Sequence, residues 1–214
     1  MSGPSGPAAL VSSLRKLAVV SRSGGPARPA ADGVERCDFC RTTLPAEHRH
    51  LLDVEERRIL CSCETCVIKR ADDPRYRPPG RRSLRLTSFH LPDEIWARFK
   101  IPVGLAFFLW SSVAQQVIAL YPSPLGATES ELDLEAWEEL RRENLMLASL
   151  EADAEALLVR RNTQDPEYYV VPTDDCYRLV GLLKSAWKGI GGGPAAEAAI
   201  EGYFGELRQR AREA

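Results

Sequence analysis

The chain has 214 residues, 44% hydrophobic and 27% charged, which suits a packed core and excludes wholesale disorder. Its net charge of −2 excludes a histone-like polycation and an acidic solvating chain. That near-neutrality hides a split: residues 1–35 carry four basic and two acidic groups, residues 36–86 twelve and eight, and residues 87–214 twelve and twenty. A basic front precedes an acidic back.

Residues 1–35 read as a tail. Stretches 1–8 and 22–33 are rich in Gly, Pro, Ala and Ser and are expected to be disordered. Between them Leu10, Leu14, Leu17 and Val20 recur at helical spacing. Leu17, Ala18, Val19 and Val20 make too short an apolar run for a signal peptide. The longest apolar stretch, residues 101–110, is about half of the roughly 20 residues a membrane-spanning helix needs. The expectation is a cytoplasmic protein without membrane insertion, in a reducing compartment that keeps its thiols available.

Residues 36–70 read as a cysteine-rich metal module. Five of the six cysteines fall here, whereas a secreted disulfide scaffold would spread them to staple loops. Cys37 and Cys40 form one CxxC pair, and Cys63 and Cys66 form another 22 residues on. Two residues between thiolates let a tight turn aim both sulfurs at one ion, and two such turns complete a tetrahedron. A strand over 48–54, a polar turn at 55–58 and a return through Ile59 and Leu60 would join the pairs, with a short helix after Cys66. Knuckle, hairpin and helix together suggest a treble-clef or ribbon-like zinc module. The ligand set is left open by Cys61, either a spare buried thiol or a replacement for Cys63; Cys63 is preferred because it restores the CxxC turn. His48 and His50 are further candidates. Iron of rubredoxin type, or an Fe–S cluster drawing on Cys61, Cys63 and Cys66, is the alternative cofactor to zinc.

Residues 71–83 hold three prolines and a glycine and are expected to be an irregular linker. With Arg85, their arginines 75, 77, 81 and 82 would form a solvated strap facing the acidic domain, or a phosphate-binding patch.

Residues 84–214 mix strand and helix periods. Strands are expected around Leu84 and Leu86, over 103–110, and over 113–121 after a turn at Ser111 and Ser112. A short helix after Pro92 would hold Ile95, Trp96 and Phe99. Pro122, Pro124 and Gly126 read as a rigid loop, and Thr128 with Glu131 as a capping box starting a helix through Trp137 and Leu140 to near Asn144. A hairpin of 156–159 and 168–171 follows. Thr173 or Asp174 would cap a helix bearing Tyr177, Val180, Leu183 and Trp187, and Pro194 would open the last helix. Hairpins separated by helices, without regular βαβ alternation, predict an α+β main domain with a mostly antiparallel sheet. Cys176 near a helix start lacks a basic partner, and no catalytic constellation is visible.

The phrases CDFC, EHRHLLDVE, LCSCETC, IPVGLAFF, ALYPSPLGATES and VVPTDDCYRLVGLLKSAWKG resemble an uncharacterised actinobacterial family, domain-of-unknown-function family 5947, over about residues 36–210. Cys37, Cys40, Cys61, Cys63, Cys66, His48 and His50 match its pattern. Its members tend to be encoded beside nickel–iron hydrogenase genes, so the resemblance implies an accessory or assembly role with hydrogenase subunits as partners. The resulting expectation is a non-enzymatic, metal-binding accessory protein acting through protein–protein contacts. A redox carrier and a zinc-ribbon nucleic-acid-binding regulator are the alternatives.

Overall fold

Long apolar runs without polar alternation require a sheet covered on both faces, and such a sheet is present. The computed structural model describes residues 34–161, 164–189 and 192–214. The helix expected through Leu10 and Val20 lies outside the described residues. In chain order the elements are β1 (Arg49–Asp53), β2 (Arg58–Ser62), α1 (Glu64–Ile68), β3 (Tyr76–Arg77), β4 (Leu84–Arg85), α2 (Asp93–Arg98), β5 (Leu105–Ser111), β6 (Gln116–Ser123), β7 (Gly126–Ser130), α3 (Leu134–Glu143), a 3₁₀ turn (Leu145–Ser149), β8 (Glu155–Arg160), β9 (Glu167–Pro172), α4 (Thr173–Ala186), α5 (Gly193–Arg210) and β10 (Arg212–Glu213).

Strands β4 to β10 form one sheet in the order β10-β4-β9-β8-β5-β6-β7, antiparallel throughout except where β10 joins β4. The fold is therefore α+β with an antiparallel-dominated sheet. Its period of two sorts side chains between two cores. Leu105, Phe107, Leu158, Tyr169 and Val171 face α4 and α5, burying Tyr177, Leu183, Phe204 and Leu207. Ala106, Phe108, Leu157, Val159 and Val170 face α2 and α3, burying Ile95, Phe99, Trp137 and Leu140. Phe108 stacks on Trp137 with ring centroids 5.5 Å apart.

The front packs onto this body. Strands β1, β2 and β3 make a second antiparallel sheet in the order β2-β1-β3. Leu52, Val54 and Ile59 from its hairpin enter the α4–α5 core. The charge split is spent on the same contact: Arg57 pairs with Glu129, Arg82 with Glu155, and His50 with Asp174.

Several local expectations change. The linker is not wholly irregular, because Tyr76 and Arg77 pair with Asp53 and Leu52 before Pro78 stops the ladder. The turn between β5 and β6 spans 112–115, with Gln115 in the left-handed region at φ 53°, rather than sitting at Ser111 and Ser112. Residues 121–130 are a hairpin, not a loop before a helix: Thr128 pairs with Tyr121 and Ala127 with Pro122. Pro122 is tolerated because the β5–β6 pairing ends at Leu120, so no ladder bond needs its missing N–H. The helix starts later, at Leu134, capped by Asp133, whose carboxylate accepts from the N–H groups of Glu135 and Ala136. Neither Thr173 nor Asp174 caps α4; Thr173 instead donates its hydroxyl to the Asp153 carbonyl at 2.6 Å.

Candidate metal centre

The first knuckle is a tight turn. Cys37 N–H donates to the Thr42 carbonyl, and Arg41 N–H to the Cys37 carbonyl, both at 2.9 Å, with Arg41 at φ 65° turning the chain back. The second knuckle is the start of α1. Cys63 stands in extended conformation at the N-cap, and Cys66 and Val67 donate their N–H groups to its carbonyl at 3.0 and 3.1 Å. Asp38 ties the first knuckle to β2, two residues ahead of the second. Its N–H donates to the Cys61 carbonyl at 2.9 Å, and its carboxylate accepts from the Cys61 N–H at 2.7 Å. Phe39 is held from outside by the Arg70 guanidinium, 3.6 Å from its ring centroid, and by the edge of Tyr76.

These turns bring the sulfurs of Cys37, Cys40, Cys63 and Cys66 within 4.8 Å of one another. Cys40 and Cys63 are 3.7 Å apart. A tetrahedral ion with metal–sulfur bonds near 2.3 Å has a ligand–ligand edge of about 3.8 Å, so the spacing fits zinc or iron. All four are free thiols, with Cys37 and Cys66 buried and Cys40 exposed. Their acidities diverge. Burial works against the Cys37 thiolate, but the N–H groups of Cys63, Cys40 and Phe39 outweigh it and lower that pKa. Burial and the neighbouring sulfurs raise Cys66. A divalent ion would hold all four as thiolates and offset half of their charge, leaving the rest to the surrounding N–H groups.

Although Cys61 packs in one small cluster with Cys37, Leu44 and Cys66, it and His50 are outside that sulfur set. With His48 they form another group, one ligand atom from each lying within 4.8 Å of the others. His50 Nδ1 lies 3.1 Å from the Asp174 carboxylate. That hydrogen bond, together with one to Cys61, pushes the His50 pKa up to about 10 against the opposing effect of burial. Asp174 carried no signal in the sequence beyond a place in a helix start, 124 residues from His50. Asp38 was equally silent. Cys176 lies fully buried in the core, where desolvation and then the adjacent aspartates push its thiol well up. Of the strap arginines, Arg75 pairs with Asp53 and Glu55, and Arg82 with Glu155.

The profile of the family of unknown function DUF5947 matches residues 36–211. The chain belongs to this family. The DUF5947 match takes in both knuckles, the His48–His50–Cys61 group and every strand of the seven-stranded sheet except β10. No curated protein matches the chain, and no solved structure does. Among the described residues, no helix is long and apolar enough to cross a membrane.

Proposed function

We propose that this DUF5947 protein is a non-enzymatic, metal-binding accessory protein. Its cysteine module, of treble-clef type, holds a structural zinc ion at Cys37, Cys40, Cys63 and Cys66. The observation that carries the reading is the sulfur geometry: four cysteines from two knuckles within 4.8 Å, one pair at the 3.7 Å edge of a zinc tetrathiolate. Four thiolates leave no coordination position for water or substrate, so such an ion stabilises a surface rather than activating a nucleophile. Helix α1, which carries Cys66, also presents Ile68 to solvent at 67% exposure, an apolar contact that the ion would hold rigid.

The partner in this reading is a protein. The gene-neighbourhood association implied by the family resemblance makes nickel–iron hydrogenase subunits the first to test, in the reducing cytoplasm where thiolates persist. Elemental analysis and a visible spectrum of anaerobically purified protein test the metal. Colourless protein with stoichiometric zinc, lost in Cys37→Ser, supports the reading. Visible charge-transfer absorption from ferric tetrathiolate would replace it with a redox carrier. Co-purification of hydrogenase subunits with the tagged full chain tests the partner, and its absence in cells expressing both removes that assignment.

A further inference from the structure

Strand geometry brings a second set of ligand-type side chains together. Residues two apart share a face of a strand, and directly paired residues share it across the ladder. His50 pairs with Cys61 and Leu52 with Ile59. Leu52 and Ile59 enter the core against α4, so His50 and Cys61 lie on the face turned toward that helix. His48, just ahead of β1, places its ring edge-on to His50 with centroids 4.9 Å apart.

Both imidazoles are anchored through Nδ1. His48 Nδ1 lies 3.0 Å from the Pro45 carbonyl, and His50 Nδ1 lies 3.1 Å from the Asp174 carboxylate. His48 thereby keeps Nε2 for another partner, and the remaining nitrogen of His50 is turned to the Cys61 thiol. Metal-bound histidines commonly donate their second N–H to a carbonyl or a carboxylate, which fixes the tautomer and strengthens the donor nitrogen. Here His48 has a carbonyl, with the Glu35 carboxylate also 3.5 Å from its Nδ1, and His50 has a carboxylate. His48 Nε2 is buried without any hydrogen-bond partner, on a side chain only 5% exposed. An unmatched buried nitrogen beside a thiol and a second imidazole points to an ion.

We propose that His48, His50 and Cys61 form a second metal site, separate from the four-cysteine centre, which binds a divalent transition-metal ion through two imidazole nitrogens and one thiolate. Two nitrogens and a sulfur suit borderline ions of the zinc and cobalt class. Three protein ligands leave a fourth position for water or for a donor from a partner, unlike the closed cysteine set. The ligands sit on the hairpin and their support, Asp174, on α4, so loading would tie the front of the chain to the main domain. The site does not require the four-cysteine centre to hold zinc.

The test is anaerobic titration of the metal-free full chain with cobalt(II), with elemental analysis after zinc loading. Two ions per chain are expected, falling to one in His48→Gln while the intense tetrathiolate bands persist. Saturation of the wild type at one ion with tetrathiolate bands overturns the proposal, as does a His48→Gln variant that still takes two. A wild type that takes one ion without tetrathiolate bands, and loses it in His48→Gln, supports this site and removes the four-cysteine reading instead. Should His48→Gln fail to fold, zinc-edge X-ray absorption of the loaded wild type decides: a mixed sulfur–nitrogen shell is expected, and a sulfur-only shell overturns it.

Discussion

Arg75 closes on the buried carboxylate of Asp53, its Nε 3.1 Å from both oxygens and a terminal nitrogen 2.8 Å from one of them. Asp53 ends β1 at 1% exposure and also accepts the Glu56 N–H at 3.1 Å. In return the Arg75 carbonyl accepts the Val54 N–H at 3.0 Å. The arginine-rich strap is thereby pinned along the edge of the hairpin that carries His50.

This relationship sets an acid limit on the front of the molecule. Burial favours the protonated acid, but the Arg75 guanidinium and the Glu56 N–H outweigh it and hold Asp53 below the usual carboxylate range. A folded pKa beneath the unfolded value of about 3.9 contributes stability that is present above that value and lost as pH falls through the folded one. Asp53→Asn should therefore lower stability near neutrality and flatten the acid limb below about pH 4. Urea melts of the two proteins across that range check it. Parallel curves would show that another group governs acid unfolding.

Metal removal should loosen part of the front and spare the rest. Leu52, Val54 and Ile59 belong to the main core, so the hairpin has support independent of any ion. The first knuckle and α1 instead cluster around Cys37, Leu44 and Cys66 with Cys61 of β2, a group too small to hold itself together. Chelation, or Cys63→Ser, is expected to speed amide exchange at 37–44 and 64–70 by at least about tenfold, equivalent to about 1.4 kcal/mol, while β5 and β8 stay protected. Hydrogen-exchange mass spectrometry reads both regions in one sample. Equal protection with and without chelator would count against a structural ion.

A third prediction concerns charges inside the main domain. Glu167 pairs directly with Arg160 across β8 and β9, and its carboxylate receives Arg208 at 2.9 and 3.0 Å and the Tyr169 hydroxyl at 2.8 Å. Arg160 also pairs with Glu201 and is only 8% exposed. Deleting the central carboxylate leaves Arg160 and Arg208 with Glu201 alone and the buried Tyr169 hydroxyl without its acceptor. Glu167→Ala should cost about 1–3 kcal/mol, and Glu167→Gln, which keeps an acceptor, clearly less. Denaturant melts at neutral pH measure this. A cost under about 1 kcal/mol for the alanine variant would mean that solvent already screens the network.

The charge network also marks where sequence patterns stop informing. The continuous apolar runs of β5 and β6 and the 3.6-residue spacing of Tyr177, Val180 and Leu183 on α4 each announce an element, because burial on two faces or one stripe leaves a direct trace. The paired CxxC motifs announce their own turns. By contrast, Thr128 and Glu131 carry a helix-start pattern, yet sheet pairing with Tyr121 claims Thr128, and a single carboxylate at Asp133 caps the helix instead. Arg160 and Glu167 look like solvent-facing strand residues until their mutual pairing is seen. Within the site, the pairing of His50 with Cys61 follows from the turn at 54–57 once that register is known. Asp174 follows from nothing local, since tertiary packing alone brings it to His50.

Asp174 therefore gives the sharpest separation between the two proposed ions. It touches the His50 ring and lies far in sequence from both knuckles. In a metal site, removing a carboxylate behind a ligating histidine typically costs about 10–100-fold in affinity, because the ring loses its orientation and its tautomer preference. Asp174→Asn keeps the size of the side chain and an acceptor oxygen but removes the charge. Its zinc affinity at the His48–His50–Cys61 group should fall about 10–100-fold, with the four-cysteine affinity unchanged. Competition titrations with a chromophoric chelator resolve the two steps. A uniform drop at both steps would assign Asp174 to holding the hairpin against α4. No drop at either would leave His50 bound to Asp174 as a surface ion pair without consequence for metal.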